Sequence, residues 1–97
     1  MTTKQRAYLK GLAMEMNAIF SVGKSSVTPD MVKAISDALE ARELVKISVL
    51  NNCADDPKDI AETLAGRTKS EVVQVIGKKI VLYRPNSDKP KIVLPKA

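Results

Sequence analysis

The segment Gly23-Lys24-Ser25-Ser26 contains the residue types best suited to hold an anion. It stands between a short β-prone run and a helix start, so its backbone N–H groups, the helix N-terminus and the Lys24 ammonium can point at one phosphate group. The alternative interpretation is an ordinary glycine turn that carries an exposed lysine. The choice between an anion site and an ordinary turn depends on the strand and the helix that flank the loop, because these elements set its position.

A nucleotide-hydrolysing P-loop, G-x-x-x-x-G-K-[ST], is the enzymatic alternative for the same loop. Ala18 stands at the position of the first glycine in that pattern. Residues 18–22 would have to form the phosphate-binding loop although they are predicted to form a strand. No apolar strand ending in a Mg²⁺-binding aspartate follows. Histidine, the commonest general acid or base, is absent. Four clustered acids are interpreted as helix caps and a solvated face rather than a metal site: Asp55, Asp56, Asp59 and Glu62. We therefore predict a protein that is not an enzyme and has no catalytic residues, metal site or other cofactor.

Basic residues concentrate at the two ends of the sequence, whose net charge is +5. Residues 1–24 hold four bases and one acid, residues 67–97 hold eight bases and two acids, and residues 25–66 hold four bases and eight acids. If the termini meet in the fold, one surface becomes positive, and a polyanion is its natural partner. The alternative is a mildly basic surface that serves solubility alone. The candidate contacts for a nucleic acid are Gly23, Lys24, Ser25, Ser26, Arg6, Lys10, Lys46, Lys78, Lys79 and Arg84.

Aromatic residues are few, which limits how a nucleic acid can be recognised. The sequence has Tyr8, Phe20 and Tyr83 and no tryptophan. Base-stacking platforms are therefore poor, and we predict recognition of phosphates, sugars and RNA shape rather than of splayed bases. Modest sequence preference and strong salt dependence follow.

Three helices are predicted from capping residues and apolar spacing. The first is capped by Thr2 or Thr3, and its apolar stripe at i, i+3, i+4 and i+7 consists of Leu9, Leu12, Ala13 and Met16. The second begins at Thr28-Pro29-Asp30 and continues to about Arg42. The third begins at Asp56-Pro57 and ends near Gly66.

Four strands are predicted, at residues 19–22, 44–50, 71–76 and 79–84, the last two joined by the two-residue turn Gly77-Lys78. The order α-β-α-β-α-β-β indicates a single compact α/β domain. Strands joined by helices should run parallel and the final hairpin antiparallel, which makes the sheet mixed. After a core of about residues 2–85, the proline-containing residues 86–97 are predicted to be a loose tail or an edge extension.

The single cysteine, Cys53, rules out an internal disulfide and favours a reducing compartment. No apolar run approaches the roughly 18 residues that a membrane span needs, and the N-terminus lacks the apolar stretch of a signal peptide. We expect a cytoplasmic protein without a membrane partner.

Five stretches together resemble the CRM domain, the chloroplast RNA splicing and ribosome maturation module, in its bacterial single-domain form, the YhbY family. They are KQRAYLK at 4–10, FSVGK at 20–24, LEARELVK at 39–46, VQVIG at 73–77 and IVLYR at 80–84. They follow the family's order over roughly residues 2–85.

The resemblance implies a four-stranded mixed sheet similar to the C-terminal domain of translation initiation factor three. It also implies association with precursors of the large ribosomal subunit and RNA contact through the strand-to-helix loop, which is usually G-x-x-G. Gly23 and Lys24 match that loop, whereas Ser26 stands at the second glycine. If that position requires a positive φ, Ser26 strains or reshapes the loop; its hydroxyl could instead donate to a phosphate.

We therefore predict an RNA-binding protein, monomeric and without a small-molecule substrate, that associates with ribosomal RNA of large-subunit precursors and acts in ribosome assembly. The alternative from another class is a protein-binding adaptor on ribosome-associated factors. It would use the acidic helical face that includes Asp37 and Glu40.

Overall fold

The structure is a computed structural model that describes residues 1–86 and 88–96. Its elements are α1 (Thr3–Met14), β1 (Phe20–Val22), α2 (Pro29–Arg42), β2 (Leu44–Val49), α3 (Pro57–Thr68), β3 (Glu71–Ile76) and β4 (Lys79–Tyr83). The predicted α/β class and the order of the elements are confirmed.

Each helix begins at a side-chain cap that the sequence predicts. Thr2 accepts a hydrogen bond from the Gln5 amide, and the Gln5 side chain accepts one from the Thr2 amide, which completes a capping box. Thr28 accepts from the amide three residues later and Asp56 from the amide two residues later, and a proline follows each of them. Caps of this kind contribute about 1 kcal/mol each to helix stability.

The four strands form one mixed sheet in the order β1-β2-β4-β3. β1 and β2 are parallel, and β4 is antiparallel to both of its neighbours. Because β4 lies between β2 and β3, the two strands joined by α3 point the same way without touching. A bulge in β3 between Val72 and Gln74 shifts the register against β4.

The two faces of the sheet carry separate apolar clusters. α2 and α3 cover one face, and the larger cluster there includes Val22, Ile35, Leu39, Ile47, Leu64 and Ile80. α1 covers part of the other face over a smaller cluster of Leu9, Ala13, Leu44, Val73, Val81 and Tyr83. The second face is therefore the only one whose sheet surface stays partly open among the described residues.

The apolar stripe of α1 is narrower than predicted. Leu9 and Ala13 are buried, but Leu12 is 38% exposed and Met16 lies beyond the end of the helix, where it packs against the smaller cluster. Leu12 therefore lies at the exposed edge of the predicted apolar stripe, because the main contacts of α1 among the described residues are with β2 and β3 on one side of the helix.

The segment after β4 is anchored to α2 rather than loose or added to the sheet edge. Glu43 ends α2 with a positive φ of 67° and is fully buried. Its carboxylate accepts hydrogen bonds from the amides of Asn86 at 2.6 Å, Lys91 at 2.5 Å and Ile92 at 2.7 Å. The Lys91 ammonium donates to the Ala41 carbonyl at the end of the same helix.

Beyond this anchor the two ends of the chain meet. Ile92 and Leu94 pack against the smaller cluster, and Gln5 Nε2 donates to the Pro95 carbonyl at 3.1 Å. The segment therefore completes the packing around α1.

The pKa of Glu43 reflects this arrangement. Burial acts to raise the pKa, but the amides of Asn86, Ile92 and Lys91 and the nearby Lys91 ammonium outweigh burial, so the pKa lies below its usual range. Glu43 is therefore held as a buried carboxylate.

Candidate nucleic-acid interface

Three connections meet at the end of the sheet where β1, β2 and β3 finish: the loop 23–26, the turn 50–52 and the hairpin turn 77–78. The Leu50 amide donates to the Val22 carbonyl at 2.8 Å and the Val49 amide donates to the Lys78 carbonyl at 2.7 Å. The Lys78 ammonium also donates to the Asn51 side chain. We call this region the loop end.

The loop itself is a turn closed by a hydrogen bond from the Ser26 amide to the Gly23 carbonyl at 2.9 Å. Lys24 and Ser25, at its tip, are exposed. Within the described part of the chain, neither the Lys24 amide nor the Ser25 amide donates to a protein oxygen. Two backbone N–H groups and one ammonium are thus available to an anion at one place.

Gly23 allows the turn 50–52 to approach the loop closely, and its backbone conformation does not itself require glycine. A Cβ at this position would lie 3.3 Å from Oδ1 of Asn52 and 3.5 Å from Cδ1 of Leu50. The absence of a side chain therefore lets the turn 50–52 pack directly against the loop.

Ser26 adopts the left-handed conformation, with φ of 54°. Glycine takes this conformation without penalty, whereas other residues pay roughly 1 kcal/mol or more. The Ser26 hydroxyl donates to the carboxylate of Asp55, in the connection before α3. Its single proton is therefore used within the protein, and the suggestion that it donates to a phosphate is not supported by this arrangement.

The N-terminus of α2 is partly satisfied by the protein itself. Thr28 accepts from the Met31 amide at 3.2 Å, and Asp30 places a carboxylate in the first turn. Because this negative charge already faces the positive end of the helix dipole, the anion-binding capacity of the region lies mainly in the loop amides and Lys24.

Lys78 and Lys79 lie at the loop end together with Lys24, and all three are exposed. The Lys79 ammonium donates to Oγ of Ser48 at 3.0 Å, which holds it over the sheet surface. The hydrogen bond of Lys78 to Asn51 and that of Lys79 to Ser48 each use one proton of the ammonium group, and both charges remain open to solvent. Lys10 lies on α1, half-buried, beside the open part of the same sheet face.

Arg6 and Lys46, two other candidate contacts, support α1. The Arg6 guanidinium donates to the Val72 carbonyl at 2.5 Å and to the Val73 carbonyl at 3.1 Å, at the bulge of β3. The Lys46 ammonium donates to the Ala13 and Met16 carbonyls at 3.3 Å each, where α1 ends. Their side chains position the helix against the sheet.

Arg84 lies at the opposite end of the sheet from the loop. Its guanidinium donates to the Ser36 carbonyl at 2.8 Å, the Thr68 carbonyl at 2.7 Å and the Ser36 hydroxyl at 3.1 Å, and it pairs with Glu40 at 3.4 Å. Five residue steps of extended chain, about 17 Å, separate Arg84 from Lys79. The structure therefore does not bring Arg84 together with the other candidate residues.

Sequence reasoning missed the apolar residues beside the lysines. Met14 and Ile76 are 80% and 60% exposed, and they line a groove between α1 and the sheet together with Lys10 and Lys79. In the sequence both residues look like members of the core, since Met14 follows an apolar helix stripe and Ile76 ends an apolar strand. Only the partial cover that α1 provides leaves them exposed.

Residues 1–86 and 88–96 contain neither a membrane-spanning helix nor a cluster of metal ligands. No helix among them combines the length and the apolar character needed to cross a membrane. They also contain no group of three or more acidic or cysteine side chains placed to hold a metal ion.

Comparison with known proteins shows what the chain is similar to. The family model of the CRS1/YhbY (CRM) domain matches residues 1–84. The Bacillus subtilis (strain 168) protein named "Probable RNA-binding protein YqeI" is 46% identical over 95 residues, which cover 98% of this chain and 99% of that protein. A Haemophilus influenzae protein named as an RNA-binding protein is 36% identical over 96 residues, covering 99% and 96% of the two chains.

A solved structure is also similar to this chain. The solution structure of SAV1595 from Staphylococcus aureus, for which RNA binding has been proposed, superposes with a TM-score of 0.81. The two proteins are 48% identical, and the match covers 98% of this chain and 99% of the other.

Proposed function

This chain belongs to the CRS1/YhbY (CRM) domain family, and we propose that it binds ribosomal RNA in precursors of the large subunit and acts in ribosome assembly in the cytoplasm. In this proposal it works as a monomeric binding protein and not as an enzyme. RNA binding is the activity for which the similar proteins are named. The narrower assignment to ribosomal RNA rests on the family resemblance of the sequence segments.

The observation that carries the proposal is the arrangement of the loop end. Lys24 and the two amides without protein acceptors lie at the same end of the sheet as Lys78 and Lys79, with β2 between the two groups. An anion held there would receive hydrogen bonds from N–H groups and charge from Lys24, without displacing any internal hydrogen bond. A phosphate of the RNA backbone has the required charge and acceptor oxygens.

Contacts of this kind orient the RNA without reading its sequence. Phosphate binding by lysines depends strongly on salt, because each neutralised phosphate releases bound counterions. We assign Lys24, Lys78, Lys79 and Lys10 to RNA contact. We assign Arg6, Lys46 and Arg84 to positioning, since their side chains are used in internal hydrogen bonds.

Asp55 restricts where an anion can bind beside the loop. Its carboxylate is held by the Ser26 hydroxyl next to the proposed phosphate position, and a like charge there opposes an anion. The phosphate is therefore expected on the Lys24 side of the turn.

The adaptor alternative finds less support in the structure. Asp37 pairs with Lys33 at 3.3 Å, and Glu40 accepts hydrogen bonds from Arg84 and from the Asn86 side chain. Both acids of the proposed docking face therefore have partners within the chain, and Glu40 is part of the anchor of the last segment.

The test is crosslinking of the tagged protein to RNA by ultraviolet light in growing cells, with sequencing of the attached RNA. We expect a sharp peak in large-subunit ribosomal RNA that Lys24→Ala removes. The matched control is Lys89→Ala, which also removes one exposed positive charge but lies after Arg84, away from the loop end. Purified Lys24→Ala should also flatten the salt dependence of RNA affinity by about one unit.

Two outcomes contradict the proposal. Reads scattered in proportion to RNA abundance would indicate nonspecific basic binding. An unchanged peak and an unchanged salt slope in Lys24→Ala would remove the loop from the site.

A further inference from the structure

The groove between α1 and the open part of the sheet has the shape and lining of a ligand site. Its cavity volume is about 470 Å³, within the range of about 300 to 1,000 Å³ that is typical of small-ligand clefts. Ala13 and Val81 form part of its floor, and the exposed side chains of Met14 and Ile76 form its walls. An open apolar cleft with a few charged groups at its rim is a candidate ligand site.

The groove is also positively charged. Lys10, Lys46 and Lys79 contribute to its lining, and no carboxylate does. Lys46 is held by the carbonyls at the end of α1 and Lys79 by Ser48, whereas the Lys10 ammonium has no protein acceptor within the described residues. A ligand of this groove must therefore combine an apolar part with negative charge.

The open sheet face connects the groove to the loop. Ile76 pairs with Lys79, Lys79 with Ser48, and Ser48 with Ser21, so the four residues form one row across all four strands. Three strand spacings make this row about 14 Å long. Ser21 is two residues before Gly23, so hydroxyl and ammonium groups continue from the groove to the proposed phosphate site.

We propose that the groove holds one unpaired nucleobase of an RNA single strand whose backbone continues along this row to the loop. Met14 and Ile76 contact the face of the base, and Lys10 and Lys79 bind the phosphates on either side of it. This inference rests on the proposed function, and it adds a base-binding position to a surface that the sequence predicts to contact only phosphates, sugars and shape.

The physical reason is complementarity. A nucleobase has an apolar face and is flanked by anionic phosphates, which matches an apolar floor with ammonium groups at its rim. A methionine thioether and an aliphatic chain can take the place of an aromatic platform, because both are polarisable or apolar surfaces that gain contact with a flat ring. An apolar protein segment lacks the regularly spaced negative charges that the row toward the loop would bind.

The test compares two labelled probes, octauridylate and an octamer of abasic spacers, which carry the same backbone charge. Affinity is measured by fluorescence anisotropy for the unmodified protein and for Ile76→Ser, a change at an exposed side chain that should leave the fold intact. Val93→Ser is the matched control, since Val93 is 81% exposed and does not line the groove. Lys24→Ala reports on the loop independently.

We expect the unmodified protein to prefer octauridylate by about fivefold or more, in line with the energy of stacking one base. Ile76→Ser should lose that preference with no change in salt slope, because it removes no charge. Val93→Ser should keep the preference.

Equal affinity of the unmodified protein for the two probes would overturn the proposal, as would a base preference that survives in Ile76→Ser. If Lys24→Ala still weakens binding in either case, the proposed function stands and the groove is left to a protein partner. If neither probe binds at all, the proposed function fails together with the inference.

Discussion

The two ends of the sheet use charged residues in opposite ways. At the loop end, Lys24, Lys78 and Lys79 are exposed and keep their charge open to solvent. At the other end, which we call the tail end, the fully buried Glu43 binds three backbone amides, and Arg84, whose side chain is 21% exposed, reaches two helices. A charge with several internal partners stabilises the fold, and a charge without them remains free to bind a ligand.

Substitutions at the two ends should also differ in their effect on the free energy of unfolding. Removing one partner from a buried charge leaves the others unsatisfied, which costs several kcal/mol. Removing an exposed lysine changes stability by less than about 0.5 kcal/mol, but it alters the field that a polyanion meets. Substitutions at the tail end should therefore affect folding, and those at the loop end should affect binding.

The largest effect is expected from Glu43→Ala. The amides of Asn86, Lys91 and Ile92 would lose their acceptor, so the free energy of unfolding should fall by about 3 kcal/mol or more in urea titrations. Hydrogen exchange at those three amides should accelerate most. Alanine keeps the left-handed strain at this position, so the loss isolates the carboxylate. Lys24→Ala is the control and should stay within about 0.5 kcal/mol of the unmodified protein; equal losses in the two variants would erase the contrast between the ends.

Titration of the same carboxylate should produce the next largest effect. Because the folded-state pKa of Glu43 is lowered, its stabilisation is fully present above the unfolded glutamate pKa, about 4.3, and is lost as the pH falls through the lower folded pKa. Denaturation measured from neutral to acidic pH should show this loss, and Glu43→Gln should flatten it in that window. A stability profile unchanged by Glu43→Gln would show that the carboxylate is not charged in the fold.

The smallest effect is expected at Ser26 and tests the backbone of the loop. Ser26→Gly and Ser26→Ala both remove the hydrogen bond to Asp55, but only glycine takes a φ of 54° without penalty. The glycine variant should therefore be more stable than the alanine variant by about 1 kcal/mol in thermal or urea unfolding. The reverse order, alanine more stable than glycine, would mean that residue 26 is not left-handed.

Local features of the fold were predictable because they depend on residues close together in the chain. The caps at Thr2, Thr28 and Asp56 bond amides two or three residues away, and the turn Gly77-Lys78 joins adjacent strands. The apolar spacing of Val32, Ile35, Ala38 and Leu39 predicts one buried face of α2. Ile35 and Leu39 are buried, and Val32 and Ala38 are half-buried.

Features that depend on distant partners escaped prediction. Glu43 was one of eight acids in the middle of the sequence, and its three donors lie 43, 48 and 49 residues further on. Arg84 and Lys24 are both basic residues after a strand, yet one is a positioning residue and the other is free. Residue type alone does not distinguish them, because the difference is the number of acceptors that the fold brings within reach.

By itself, the sequence determined the helices, the strands, the mixed sheet and the excess of positive charge, since capping, periodicity and net charge follow from residue type and spacing. The tertiary structure alone decided which charges are used internally, that α1 leaves part of the sheet open, and that Met14 and Ile76 lie beside lysines in a groove. The physical reason is that solvation and hydrogen-bond satisfaction depend on distances in space, which contacts between residues far apart in the chain establish.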